Sequence, residues 1–155
     1  MNESPSWDEY HMQAAEHAAT KSKDRSTKVG AVIVGPDNET LISGFNGFPR
    51  GVNDDIDERH ERPEKYFWAE HAERNSLYAA ARHGVSVKGC RMFVPLFPCA
   101  DCARAIVQSG IVEVICREVD ESLSFTQRWA EANRRAETIL FEGGVKVRFI
   151  EKEPV

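Results

Sequence analysis

KGCRMFVPLFPCADCARAIVQSGIVEVI, residues 88–115, reads as strand, helix, strand. A short apolar run covers 91–96, helical spacing over 100–109 stops at Gly110, and a second apolar run covers 112–116. Strands alternating with single helices imply layered α/β architecture with a mainly parallel second half. The same stretch sets Cys99 and Cys102 three residues apart in the first helical turn, directly after Pro98.

Downstream, a helix over about 122–141, a break at Gly143-Gly144 and a strand over 145–150 continue the alternation. Upstream, Ala69, Ala72, Leu77, Ala80 and Ala81 give helical spacing over 68–83, with Gly84 as the stop. Before it, residues 46–66 lack apolar periodicity and are rich in Gly, Pro and charge, which predicts a long loop of a length usually kept for function. The runs 28–34 and 40–45 flank Gly35-Pro36-Asp37-Asn38 and predict an antiparallel hairpin, preceded by a helix over 8–20. No repeat or low-complexity segment divides the chain, so a single domain is expected over residues 1–155.

Composition narrows the function classes. A hydrophobic fraction of 41% against 29% charged residues is that of a soluble globular protein. Apolar runs such as VGAVIV (29–34) are too short to span a bilayer, and the polar start MNESPSWDEY lacks a signal-peptide core, so a cytoplasmic setting without membrane contact is expected. A net charge of −5 argues against a broad surface for nucleic-acid polymers, whose affinity depends on many Lys and Arg contacts to phosphates. In a reducing compartment the four cysteines stay unpaired, which leaves metal binding or redox chemistry for Cys99 and Cys102.

Two cysteines in one helical turn aim their sulfurs to the same side, and the helix N-terminus favours thiolate over thiol. That makes half of a zinc site. His71, 28 positions earlier and near the start of its own helix, is the best third ligand, and Glu73 follows two residues later. Alone, Cys-x-x-Cys is compatible with a redox pair or a structural knuckle, and His-Ala-Glu with an ordinary helix face. Together, in this order, His-x-Glu and Pro-Cys-x-x-Cys are the signature of the zinc deaminases. The chemistry agrees: hydrolytic deamination needs a strong nucleophile at neutral pH, and bound zinc lowers the pKa of water from about 15.7 to about 7. It also needs a proton carrier beside the metal, a task suited to Glu73. Cys90 and Cys116 sit in or beside apolar strands and read as inert core residues. His11, His17, His60 and His83 lack ligand spacing and read as surface or packing residues.

Beyond that signature, VGAVIV (29–34), SGFNGFPRG (43–51), HAERNSL (71–77) and residues 88–115 resemble the deoxycytidylate (dCMP) deaminase family, a likeness covering roughly residues 7–150. The resemblance implies a three-layer, cytidine-deaminase-like fold with a five-stranded mixed sheet between helices. It implies conversion of dCMP to dUMP and ammonia by a homo-oligomer, often a hexamer. It assigns zinc to His71, Cys99 and Cys102, proton transfer to Glu73 and the pyrimidine carbonyl to the Ala72 amide. It places Asn46 near the sugar hydroxyl, although a turn role after the second strand is an equal reading. Activation by dCTP and inhibition by dTTP through the glycine-asparagine loop GFNGFPRG (44–51) is a further expectation from the family.

Two substrate contacts stay open. TKSKDRSTK (20–28) offers Lys23 and Arg25, with Lys21 and Lys28, to a phosphate, or is a solvated charged loop. Phe125 or Trp129 stacks on the pyrimidine or belongs to the core of the last helix. Competing functions are a zinc deaminase of free bases or nucleosides, and a non-catalytic nucleotide sensor on the same scaffold. Retention of Glu73 weighs against the sensor.

Overall fold

The computed structural model describes residues 3–119 and 125–152, apart from the side chains of 125–130 and 132. Its elements are α1 (Trp7–Ala19), β1 (Gly30–Val34), β2 (Thr40–Phe45), α2 (Ala72–His83), β3 (Arg91–Phe93), α3 (Ala100–Ser109), β4 (Glu113–Arg117), α4 (Phe125–Glu142) and β5 (Lys146–Ile150). The strands form one five-stranded sheet in the order β2-β1-β3-β4-β5. β1 runs antiparallel to β2 and β3, while β3, β4 and β5 are mutually parallel. The mixed sheet between helices is the architecture expected from the sequence.

β1 is buried along its whole length because both of its faces are covered. Alternation along the strand sends Val32 and Val34 towards Met12 and Ala15 of α1, and Ala31 and Ile33 towards the cluster containing Ala72 and Ala80 of α2, Ile106 of α3 and Leu140 of α4. Each fully buried aliphatic side chain contributes about 1.5–3 kcal/mol, so this central strand anchors both layers. Two glycines set how closely the helices approach it. A Cβ on Gly30 would overlap the Ala15 carbonyl oxygen, and one on Gly44 would lie 2.7 Å from the Ser76 nitrogen. α1 and α2 therefore rest backbone-to-backbone on the hairpin.

α1 starts at Ser6, whose hydroxyl accepts from the Glu9 N–H at 3.1 Å. Its acidic side reaches across to the parallel end of the sheet. Arg117 lies 2.6 Å from carboxylate oxygens of both Glu9 and Glu16, and Arg148 lies 2.7 Å from Asp8 and 3.2 Å from Glu113.

The structure corrects three boundaries. The helix expected over 68–83 starts at Ala72, because Glu64–Phe67 forms a separate 3-10 turn and Gly47 pairs with Glu70 as an isolated antiparallel bridge that keeps the chain extended. The strand expected to reach 96 ends at Phe93; Pro95 has no N–H with which to continue the ladder. The 46–66 loop carries local order in a 3-10 turn at Asp57–His60. The last helix is described from Phe125 onward, and residues 122–124 of the expected span lie outside the described residues.

Candidate metal and catalytic site

His71 and Cys99 occupy equivalent places in their helices. Each is the extended N-cap residue, with φ −77° and ψ 156° for His71 of α2 and φ −73° and ψ 172° for Cys99 of α3. The extended backbone turns both side chains out of the helical path towards the same point, and Cys102 joins from the first turn of α3. Cys99 Sγ and Cys102 Sγ each lie 3.4 Å from His71 Nδ1, although 28 and 31 residues separate them from it in the chain. The Cys102 N–H approaches Cys99 Sγ at 3.5 Å.

These spacings fit zinc. Bonds of about 2.1 Å to nitrogen and about 2.3 Å to sulfur, at a tetrahedral angle, place N and S roughly 3.6 Å apart. Among the described residues, His71, Cys99 and Cys102 are the one group of three or more His, Cys, Asp or Glu side chains whose donor atoms converge this way, all within 4.8 Å of one another. Three protein donors leave a tetrahedral ion one open position, the pattern of catalytic sites. Electrostatics prepare the donors. A hydrogen bond from Cys102, together with His71 and the Cys102 amide, pulls the Cys99 thiol down to about 4. The neighbouring Cys99 sulfur and burial push Cys102 up, so the pair shares one proton before a metal displaces it. The hydrogen bond with Cys99 raises His71 despite its burial. Cys90 and Cys116 are buried and stand apart, Cys116 pushed up by desolvation, which matches their reading as inert core residues.

Glu73 sits in the first turn of α2 with only 5% of its surface exposed. Burial pushes its carboxyl above the ordinary range, against the pull of its own backbone N–H, His71 and Cys102. A carboxyl so placed takes up a proton more readily than an exposed one, which suits a general acid and base.

His71, Ala72, Glu73 and Cys99 are part of the lining of a cleft of about 680 Å³. The Ala72 N–H has no acceptor within the helix, since the first helical bond runs from the Asn75 N–H to the His71 carbonyl at 2.9 Å. Asn46 also lines the cleft, and it is a turn residue at the same time. Its Oδ1 accepts from the Val29 N–H at 2.9 Å and its Nδ2 donates to the Thr27 carbonyl at 2.8 Å. One N–H and one lone pair of that amide are left over for a ligand.

Lys23 and Arg25 are not brought to the cleft. Lys23 pairs with Asp54 at 3.0 Å and Arg25 with Asp57 at 2.9 Å, both exposed, so carboxylates of the 46–66 loop draw the two cations away. The rest of that basic segment is structural. The buried Ser22 donates to the Asn46 carbonyl at 2.8 Å, and Asp24 Oδ1 accepts from the N–H groups of Ser26 and Thr27 at 2.9 Å each. Phe125 begins α4, but its side chain and that of Trp129 lie outside the described residues. Sequence reasoning missed Arg62, Lys65 and Arg74, which also line the cleft. Asp-x-Ser-Thr at 24–27 is a recognisable Asx-turn pattern, a signal that the Asp24 carboxylate is engaged by the amides of its own loop.

A convergent His-Cys-Cys set beside a buried carboxyl, on paired helix starts over a mixed sheet, defines a zinc-dependent hydrolytic deaminase. Residues 5–118 match the family described as the cytidine and deoxycytidylate deaminase zinc-binding region, and the chain belongs to that family. It is 40% identical over 144 residues to an uncharacterised deaminase from the luxG 3′ region of Aliivibrio fischeri, covering 93% of both chains. It is 42% identical over 114 residues to the deoxycytidylate deaminase of Mus musculus, a match covering 70% of this chain and 63% of the mouse protein. The fold aligns with the crystal structure of the dCMP deaminase of cyanophage S-TIM5 in complex with dCMP and dUMP, with a TM-score of 0.73, 26% identity and coverage of 96% and 100% of the two chains.

Proposed function

We propose that this protein deaminates dCMP to dUMP and ammonia. The observation that carries the reading is the convergence of His71, Cys99 and Cys102 at 3.4 Å spacings beside the buried Glu73, in a cleft large enough for a nucleotide. Likeness to a phage structure holding dCMP and dUMP supports the choice of substrate. Zinc, when bound, supplies a water acidic enough to become a nucleophile at neutral pH. Glu73 accepts the proton lost by the attacking water and delivers it to the amino group leaving from C4 of the pyrimidine. The Ala72 N–H donates to the pyrimidine carbonyl, and the spare capacity of Asn46 serves the sugar hydroxyl. Leu96 and Phe97 line the cleft and give the base an apolar wall.

The finer expectations from the family belong to the same reading: a homo-oligomer, favoured as a hexamer, with dCTP activating and dTTP inhibiting through the loop that follows β2. The two glycines Gly47 and Gly51 in that loop have open space where a side chain would stand, which leaves room for a ligand to approach backbone. No helix among the described residues is long and apolar enough to cross a membrane; a cytoplasmic location is part of the same proposal.

The test is ammonia release from dCMP, dCDP, dCTP, deoxycytidine, cytosine and guanine, with and without dCTP and dTTP as effectors. The reading expects dCMP to give the highest kcat/KM. A free base or nucleoside that outperforms dCMP would transfer the assignment to the other deaminase reading, and identical saturation curves with and without effectors would remove the regulatory part.

A further inference from the structure

Three cationic side chains among the described residues line the cleft: Arg62, Lys65 and Arg74. Two of them are already matched by carboxylates. Lys65 Nζ lies 3.1 Å from Asp24 Oδ2. Arg74 Nε lies 2.6 Å from Glu70 Oε1, though without hydrogen-bond alignment, and Nη1 lies 3.4 Å from Asp101 Oδ2. A cation that already faces a carboxylate offers little net attraction to an incoming anion, because the carboxylate repels it at similar range. Arg62 differs. It is exposed at the cleft and has neither an ion pair nor a hydrogen-bond partner among the described residues.

The surrounding charge sharpens the contrast. Lys23 and Arg25 are spent on Asp54 and Asp57 outside the cleft. If, as proposed above, the substrate is a nucleoside monophosphate whose base meets the zinc donors, its phosphate dianion needs a counter-charge from the rest of the lining, and Arg62 is the lining cation that no carboxylate faces among the described residues. A guanidinium presents a planar fork of N–H donors that matches phosphate oxygens two at a time.

We infer that Arg62 recognises the 5′-phosphate of the substrate and sets the preference for a monophosphate over the nucleoside. The residue determines specificity and takes no part in proton transfer.

The experiment uses the zinc-loaded full chain, with zinc content and melting temperature checked for each variant. Calorimetry measures the binding of dUMP and deoxyuridine, and ammonia release measures turnover of dCMP and deoxycytidine. In Arg62→Gln, dUMP affinity should fall roughly 10- to 100-fold, the range for loss of a charge-assisted hydrogen-bonded contact. KM for dCMP should rise in parallel with kcat nearly unchanged, and both nucleosides should behave as with the native protein. Arg62→Lys should recover part of the loss, since it restores charge without the fork. Unchanged dUMP binding in Arg62→Gln overturns the inference, as does a loss that appears in Arg25→Gln instead. The native arm separates the two levels: a native protein indifferent to the phosphate ends the nucleotide reading itself, whereas a native preference that survives Arg62→Gln ends only the role of Arg62.

Discussion

Lys65 Nζ lies 3.1 Å from Asp24 Oδ2, and only 13% and 10% of the two side chains are exposed. The pair closes one wall of the cleft by tying the segment between α1 and β1 to the loop that leads into α2. Burial alone would raise the Asp24 carboxyl, but the amides of Thr27 and Ser26 and the Lys65 ammonium hold it below the ordinary range. Lys65→Met leaves that carboxylate buried without its cation and should cost about 2–3 kcal/mol in urea unfolding, below the roughly 3–5 for a fully buried pair because the two amides remain. Combining it with Asp24→Asn should recover part of the loss. Strict additivity of the two single changes would show that they do not interact.

Metal loading should depend on His71, Cys99 and Cys102 and on no other cysteine. Cys99→Ser, Cys102→Ser and His71→Ala should each reduce bound zinc from near one per chain to a small fraction, measured by elemental analysis after dialysis. Cys90→Ser and Cys116→Ser should keep full zinc, since neither sulfur lies in the convergent group. Chelator treatment of the native protein should abolish ammonia release, with activity returning on zinc addition.

Proton transfer should separate from metal binding at Glu73. Glu73→Gln preserves shape and leaves the zinc donors untouched, so zinc content should stay at the native level. Its kcat on dCMP should drop by about 10²–10⁴-fold, the usual contribution of a positioned acid–base group. Native turnover in this variant would remove Glu73 from the mechanism.

The close seat of α2 on the hairpin is testable at Gly44, where a Cβ would stand 2.7 Å from the Ser76 nitrogen and 3.1 Å from the Ala72 carbonyl oxygen. Gly44→Ala forces α2 outward and should cost about 1–3 kcal/mol, the range for overpacking. Because His71 and Glu73 ride on the start of α2, zinc affinity should weaken as well. Full stability with native zinc affinity would contradict the close approach.

His11 gives the stability a dependence on mild acid. It is fully buried against Phe93 and Trp7, with Nε2 3.3 Å from Asn38 Oδ1. Burial pushes its imidazole below 6.5, helped by Arg91 and opposed by Asn38 and Asp8. The unfolded chain therefore takes up this proton at a higher pH than the fold does, and stability should decline as pH falls below about 6.5. Thermal melts from pH 7.5 to 5 should show a shallower decline in His11→Phe than in the native protein. Parallel curves would exclude His11 as the source.

Several of these features were legible in the chain because they are local. Residues 88–115 announce strand, helix and strand by apolar spacing alone, and His-Ala-Glu with Pro-Cys-Ala-Asp-Cys announces the donors, because helix starts place such neighbours on one side. Boundaries shifted where long-range bonds intervened. The Gly47–Glu70 bridge, across 23 positions, delayed α2 to Ala72 and put His71 at the N-cap instead of inside a helical turn.

Charges were harder to place. Lys23 and Arg25 look like phosphate ligands in a basic segment, yet their partners Asp54 and Asp57 stand 31 and 32 positions away in a loop without periodicity. Arg62 carries no pattern in the sequence and gains meaning only when Lys65 and Arg74 are seen to be neutralised beside it. Donor identity and the α/β order follow from spacings of a few residues, which backbone geometry translates directly into direction. Which donors meet at 3.4 Å, and which cation is left to face a ligand, follow from distances through space, and those exist only after the sheet has assembled its helices.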